Sequence, residues 1–544
     1  MKLRHLLFGL LAGVAFVACT NDDDPAGASP VNGGNKMATA DKYISVNMVM
    51  PGGATTRTLD GFKEGTTAEN AVKKASFLFF KGESQIAEPF TIEAGGNDAN
   101  GDAWTPGDGK QKAPVIVMKN PTDIPDALVV LINYGGTVSK SQKISDLQAA
   151  VADYSSVENG FVMSSSVYYD AAGKLVVGAP VGPENVKDTP AAAKGAPVKA
   201  YVERVLAAVT VDKASDAAIS SGVDGIDVVI DGWWLAYENT QSNLVKKLSA
   251  TYNFGTGIAT DWINDAANFR SYWADAAAYK AAAATAQAPY SSAASALKAT
   301  LYTQENTNFW NQKPDKSSTT GNPTVVVVSA TLKKGDAAVD LYKLQGIVYD
   351  KDNLMNYLAK SATAKKYFKK TSAEGVTPAV YDNLAVTDFV LADPDATAGQ
   401  SYEASVYLQL ASGVSGLYTF DAQNKPVAAT ADAANADLKK AAELVQFFKG
   451  GATYYYVPIV QNSALNVNAK DPKAQNPEYL GLFGVVRNHY YQLTIKKVQG
   501  LGTAVPDPTQ VIVPEEPVDK DYYIAAEINI LDWKLVSQNV NLGN

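Results

Sequence analysis

Few side chains in this sequence could do covalent or proton-transfer chemistry. Cys19 is the only cysteine, and His5 and His489 are the only histidines, in 544 residues. Two of those three fall within the first nineteen positions, so a Cys–His nucleophilic pair or a Cys/His zinc site in the body of the chain is excluded. Arg is scarce as well, at positions 4, 57, 204, 270 and 487. Arg57 lies in Ala54-Thr55-Thr56-Arg57-Thr58, a small and polar stretch after Pro51-Gly52-Gly53. An exposed loop is expected there, and the Arg57–Thr58 bond is the expected cutting point for an Arg-specific protease. The 56 acidic residues make some close carboxylate pair inevitable, yet spacing marks none as the acid and base of a hydrolase. Residues 95–102 (GGNDANGD) lack the spacing and terminal Glu of an EF-hand and read as a solvated turn. No Gly-rich phosphate loop followed by Lys-Ser or Lys-Thr occurs. The expectation is a non-enzymatic protein with no cofactor and no metal site. A net charge of −9 without a basic stripe also argues against nucleic acid as a partner.

What chemistry Cys19 could do follows from its surroundings. Lys2, Arg4 and His5 precede the apolar run 6–17, which ends in Ala18-Cys19. That is a charged start, a short apolar stretch and a small residue before Cys, the pattern of an export segment cleaved and acylated at the thiol. The run is too short for an ordinary transmembrane helix. Thr20-Asn21-Asp22-Asp23-Asp24 and a Gly, Ala, Ser, Pro and Asn stretch to about residue 40 then read as a flexible tether. The acidic run resembles the surface-export signal of lipoproteins in the Bacteroidales. The implied location is the outer surface, with the acylated precursor held by outer-membrane lipid.

The body is apolar enough to fold, at 46% apolar and 19% charged residues. Its length predicts two large domains. Residues 43–50 alternate with period two, placing Ile44, Val46, Met48 and Met50 on one face of a strand. Further strands are expected at 75–80, 115–118, 127–133, 161–164, 201–211 and from 226 through Trp233-Trp234. A helix is expected over 144–154, with Ile144, Leu147 and Val151 on one face. The polar gap after Asp212 is the expected domain boundary. A second helix is predicted over 437–449, with Leu438, Ala441, Val445 and Phe448 on one face, and an Ala-rich helical insertion over about 268–288, stopped by Pro289. In 485–498, His489, Tyr491, Leu493 and Ile495 share a strand face, which makes His489 a packed residue rather than a catalyst.

The tail is the most informative segment. Residues 500–520 carry Pro506, Pro508, Pro514 and Pro517, which predicts an extended arm. Beyond it, Ile524, Ala526, Ile528 and Ile530 share one strand face, and after a phase shift at Leu531-Asp532 come Trp533 and Leu535. A long apolar strand at the end of an arm needs a partner. Tyr43-Ile44-Ser45-Val46-Asn47-Met48 and Tyr523-Ile524-Ala525-Ala526-Glu527-Ile528-Asn529-Ile530 resemble one another in type and period, so both could fill one groove. Cutting after Arg57 would release the first strand, and a tail from another copy could replace it, giving a head-to-tail polymer of identical subunits. From periodicity alone, the tail completing a sheet in its own chain is the other reading.

Residues 43–57 (YISVNMVMPGGATTR), 128–133 (LVVLIN), 160–165 (GFVMSS), 202–209 (VERVLAAV), 485–502 (VVRNHYYQLTIKKVQGLG) and 527–542 (EINILDWKLVSQNVNL) together resemble the type V fimbrillins of the Bacteroidales, above all the minor-fimbrium (Mfa-type) shaft subunit. The resemblance implies a mainly β chain of two transthyretin-like β-sandwich domains with short helical insertions and a C-terminal donor strand. It divides the chain into a lipoprotein signal peptide (1–19), a tether with a removable strand (20–57), an N-terminal sandwich (58–222), a C-terminal sandwich with a helical insertion (223–502), and a Pro-rich arm with the donor strand (503–544). It also implies a cell-surface fimbrium, acylation of Cys19, cleavage between Arg57 and Thr58, anchor and tip subunits as further partners, and roles in adhesion and biofilm formation. The Ala-rich stretch near 268–300 has no counterpart in the resemblance. Two other readings are a non-polymerising tip or anchor subunit and a surface glycan-binding lipoprotein. The latter would stack sugars on Trp233-Trp234, Trp262 with Trp273, or Tyr454-Tyr455-Tyr456.

Overall fold

A computed structural model of the chain describes residues 40–49, 62–63, 65–106, 113–169, 175–248, 274–276, 288–307, 323–392, 395–396, 403–459, 484–512 and 533–542. The chain is mainly β. Its first sheet is built from β1 (Lys42–Val49), β3 (Lys74–Lys81), β4 (Val115–Met118), β5 (Ala127–Ile132), β6 (Met163–Ser165) and β7 (Val198–Arg204), while the two-residue β2 (Phe62–Lys63) joins a different sheet. The pairing order is β3-β5-β6-β7-β1-β4. Strands β3 and β5 are rich in Phe, Val, Leu and Ile, which pack well on a pleated surface, and both of their faces are buried. Helix α1 (Ile144–Ala149) covers part of this core with Ile144 and Leu147, but it stops short of the expected residue 154, because Val151 and Ala152 form a short strand paired with Asn243 and Ser242.

The chain then passes through Val205 into β8 (Leu206–Ser220). Strand was expected only as far as residue 211, with a polar gap after Asp212. The structure instead carries the strand on to Ser220, because its outer half is held by main-chain pairing with a later strand and not by burial. Alternation within β8 serves two cores at once: Leu206 and Ala208 face the first, Ala207, Val209 and Val211 the second.

The second core is enclosed by β8, β9 (Asp227–Ala236), β10 (Thr300–Gln304) and β11 (Val325–Lys334), with later strands, while α2 (Tyr290–Ala293) packs Tyr290 into a separate cluster with Trp234 and Val325. A third core grows out of the chain after β11, from β12 (Leu341–Leu344), α3 (Lys351–Leu358), β13 (Glu403–Val406), α4 (Ala431–Lys440) and β14 (Glu443–Phe448). The helix expected over 437–449 is corrected here. Thr430 caps α4 with its side chain, α4 ends at Lys440, and 443–448 is a strand paired with both β12 and β13. Leu-Val-Gln-Phe-Phe satisfies a helical stripe and a buried strand equally, and the two neighbouring strands decide between them. The Ala-rich insertion lies almost wholly outside the described residues.

Strands β15 (Ala452–Pro458), β16 (His489–Gln499), β17 (Thr503–Ala504) and β18 (Trp533–Leu542) complete the architecture. One sheet runs β10-β8-β16-β18-β2 and the facing one β9-β11-β15-β17. Between them lie Trp233, Val326, Val328, Tyr455, Tyr491, Leu493 and Ile495. Among the described residues no helix is long and apolar enough to cross a membrane.

Candidate assembly site

Strand β1 is the residue-level centre of the site. Ile44 and Val46 are 0% exposed and Met48 4%, so the alternation read from the sequence becomes a row of buried knobs in the first core. On one side β1 runs parallel to β7, with Val46 opposite Val198 and Met48 opposite Ala200. On the other it runs antiparallel to β4, with Ile44 opposite Ile116 and Lys42 opposite Met118. Strand β4 has no other ladder partner in the sheet among the described residues. Outside the ladder, the Tyr43 and Lys187 main chains exchange N–H···O bonds of 2.8 and 2.9 Å, and Lys42 pairs with Asp188. Taking β1 away would leave two rows of main-chain donors and acceptors beside an uncovered core.

The tail strand occupies a matching position in the other half of the molecule. Strand β18 runs parallel to β16, with Tyr490 opposite Leu535, as β1 runs parallel to β7. Its outer neighbour is β2, where Phe62 pairs with Lys534 and Lys63 with Trp533. In the single chain β18 therefore completes this chain's own sheet. Trp533 and Leu535 lie within it. Ile524, Ala526, Ile528 and Ile530 lie outside the described residues, as do Cys19, Met50, Arg57 and Thr58.

A buried ionic joint, which sequence reasoning missed, fixes the chain downstream of Arg57. Arg204 is 0% exposed; its Nε donates to the Glu69 carbonyl at 3.0 Å, and its guanidinium also reaches Asn70 and Asn488. The Glu69 carboxylate accepts from the Tyr302 hydroxyl at 2.8 Å. Gly65 approaches Arg204 so closely that a Cβ there would overlap its guanidinium. Beside it, Arg487 bonds Glu305 at 2.9 Å and donates to the carbonyls of Asn243 and Leu244. Lys246 pairs with Glu203 at 3.2 Å, both buried. Burial pushes the Glu203 carboxyl up from the usual range, opposed by Lys246 and then Arg487. Residues 65–70 are thus tied to β7 and to the turn before β16. The available signal was the rarity of Arg: two of the five form this joint.

Other candidate residues settle into structural places. His489 is 1% exposed, with Nδ1 2.8 Å from the Arg487 carbonyl and its ring stacked on Tyr491. Asp98, in the Gly-rich acidic loop, accepts from the main-chain N–H groups of Asn100, Asp102 and Val115, so its carboxylate staples the turn. Among the described residues no group of His, Cys, Asp and Glu could hold a metal ion. Trp233, Trp234 and Tyr454 to Tyr456 are all buried, which removes them as open sugar-stacking platforms. Trp262 and Trp273 lie outside the described residues.

Residues 446–539, which run from within β14 into β18, match the family model for the major fimbrial subunit protein type IV, fimbrillin, C-terminal. Among solved structures, a fimbrilin (fimA) from Porphyromonas gingivalis W83 is 13% identical, covering 93% of this chain and 96% of its own, at a TM-score of 0.31. The tip fimbrial protein Mfa3 from Porphyromonas gingivalis, truncated at its C-terminus, is 13% identical over 57% of this chain and 80% of its own, at 0.27. A fimbrial assembly protein from Parabacteroides distasonis ATCC 8503 is 11% identical over 57% and 86%, at 0.25. No curated protein matches the sequence. The C-terminal match falls on the β15, β16 and β18 elements that build the second half of the site, and over these residues the chain is similar to the fimbrillin family of major fimbrial subunits.

Proposed function

We propose that this chain is the shaft subunit of the fimbrium, a non-enzymatic building block that polymerises by donor-strand exchange. It is exported as a lipoprotein acylated at Cys19 and is cut between Arg57 and Thr58 by an Arg-specific protease. The cut frees β1 from its covalent link to the rest of the chain. The tail of a second subunit, with Ile524, Ala526, Ile528 and Ile530 followed by Trp533 and Leu535, then enters the vacated slot between β7 and β4. Anchor and tip subunits terminate the filament, which supports adhesion and biofilm formation.

The observation that carries this reading is the slot of β1. The strand is held by main-chain ladders on both sides and by three buried side chains, and its Tyr-Ile-x-x-x-Met/Ile pattern recurs in the tail. Burying Ile44, Val46 and Met48 contributes about 5 to 9 kcal/mol before entropy costs, enough to hold β1 until it is replaced and for a replacement of similar pattern to win nothing or lose little. Main-chain pairing with pockets for alternate side chains is the recognition mode such an exchange needs. Digestion of the purified precursor with an Arg-specific protease, N-terminal sequencing and an unboiled detergent gel test it together. A chain beginning at Thr58 with a heat-labile ladder supports the shaft role. A cut product that stays monomeric points to a terminal subunit.

A further inference from the structure

A cavity of about 400 Å³ opens between the end of β9, α2 and β10, away from the β1 slot. That volume is in the range of small-molecule sites. Its walls include Asp153, Trp234, Glu238, Tyr302, Thr303 and Gln304, and no Lys, Arg or His lines it among the described residues.

The polar groups of the wall are short of donors. Gln304 is 3% exposed, and its Nε2 donates to Asp153 Oδ1 at 2.8 Å. That orientation leaves Gln304 Oε1 as a buried acceptor with no partner. Glu238 is half-buried, and desolvation pushes its carboxyl up to about 7, opposed by the Thr303 hydroxyl beside it. That hydroxyl is itself outside hydrogen-bonding geometry with any group. The turn that brings Glu238 to the wall is held in place: Tyr237 has φ of +59°, and its carbonyl accepts from Asn306 Nδ2 at 2.8 Å and Thr324 Oγ1 at 3.2 Å. A buried acceptor without a partner calls for a ligand that brings N–H or O–H hydrogens, and the half-buried Glu238 carboxyl, with no cation on the wall among the described residues, favours a positively charged one.

We infer that this cavity binds the primary ammonium group of a small amine, with its N–H donors directed to Glu238, to Gln304 Oε1 and to the free oxygen of Asp153. Trp234, buried and packed edge-on against Tyr290, closes one wall of the cavity. A neutral sugar would satisfy the same acceptors but would leave the half-buried Glu238 carboxyl without a counter-charge, whereas Asp153 is exposed to water, so the charge at Glu238 decides between the two.

Calorimetric titration of the full chain at pH 8 with n-butylamine tests this, alongside tetramethylammonium, 1-pentanol and glucose. The expected result is saturable one-site binding of butylamine, at least about tenfold weaker binding of tetramethylammonium, which lacks N–H donors, and none of pentanol or glucose. Glu238→Gln and, as a second variant that removes the orphan acceptor, Gln304→Met should each weaken butylamine at least about tenfold while melting as cooperatively as the parent. The inference is overturned if butylamine shows no saturation up to about 50 mM, if glucose or pentanol binds as well as the amine, or if both variants bind it unchanged.

Discussion

Strands β1 and β18 lie in corresponding places in the two halves of the molecule, each parallel to a central neighbour, yet they differ in residue pattern and in their outer neighbour. The first is an eight-residue strand, KYISVNMV, whose alternate residues fill a core. The second, WKLVSQNVNL, carries Lys, Ser, Gln and two Asn within ten residues, and its outer edge is met by only the two-residue β2. Buried side chains and two ladders hold β1, and a long main-chain ladder joins β18 to β16. A strand kept by burial leaves only when its tether is cut and a competitor of matching pattern arrives. Covalent processing at one end and exchange at the other suit that difference.

The comparison can be broken most directly at its two ends. Deleting residues 521–544 should leave folded, cleavable subunits with no heat-labile ladder at all, and Arg57→Ala should leave an acylated monomeric precursor. Normal filaments from either variant, seen by electron microscopy, would end the strand-exchange account. Next in size is the joint between the halves. Arg487→Ala strands Glu305 and two main-chain carbonyls without their donor, and should cost about 3 to 5 kcal/mol in denaturant unfolding. Loss of under 1 kcal/mol, about the value of a solvent-exposed pair, would show that water reaches the joint.

Ile44→Ala sharpens the contrast between the strands. It should destabilise the uncut precursor by about 2 to 5 kcal/mol through the cavity it leaves, and have no effect on matured subunits from which β1 has departed. An equal loss before and after processing would mean that β1 stays. The smallest effect concerns Glu238. Its carboxyl titrates near 7 in the folded chain against an ordinary value of 4.5, so folding holds its proton more tightly. Stability should fall as pH rises from 4.5 through 7, and the cost should be complete above it. Glu238→Gln should therefore gain about 1 to 3 kcal/mol at pH 8, discounted for the residue's partial exposure, and nothing at pH 4. A gain of the same size at both values would assign the effect to packing.

The period-two pattern of 43–50, the apolar runs at 75–80, 115–118 and 127–133, and the Ile144 and Leu147 stripe were legible in the sequence because each is set by local geometry: alternation for a strand, spacing of three for a helix. The scarcity of Cys and His and the recurrence of one strand pattern at both ends of the chain stand in the sequence itself. What the tertiary structure alone decided depends on partners far apart in sequence. Residues 443–448 are a strand because β12 and β13 flank them, and 212–220 extend because β16 pairs with them. Arg204 finds Glu69 across 135 residues and Asn488 across 284, and Arg487 finds Glu305 across 182. Periodicity says which face of an element is buried; it cannot say against what, since the free energy of a buried charge is set by whichever groups the closed fold brings to it.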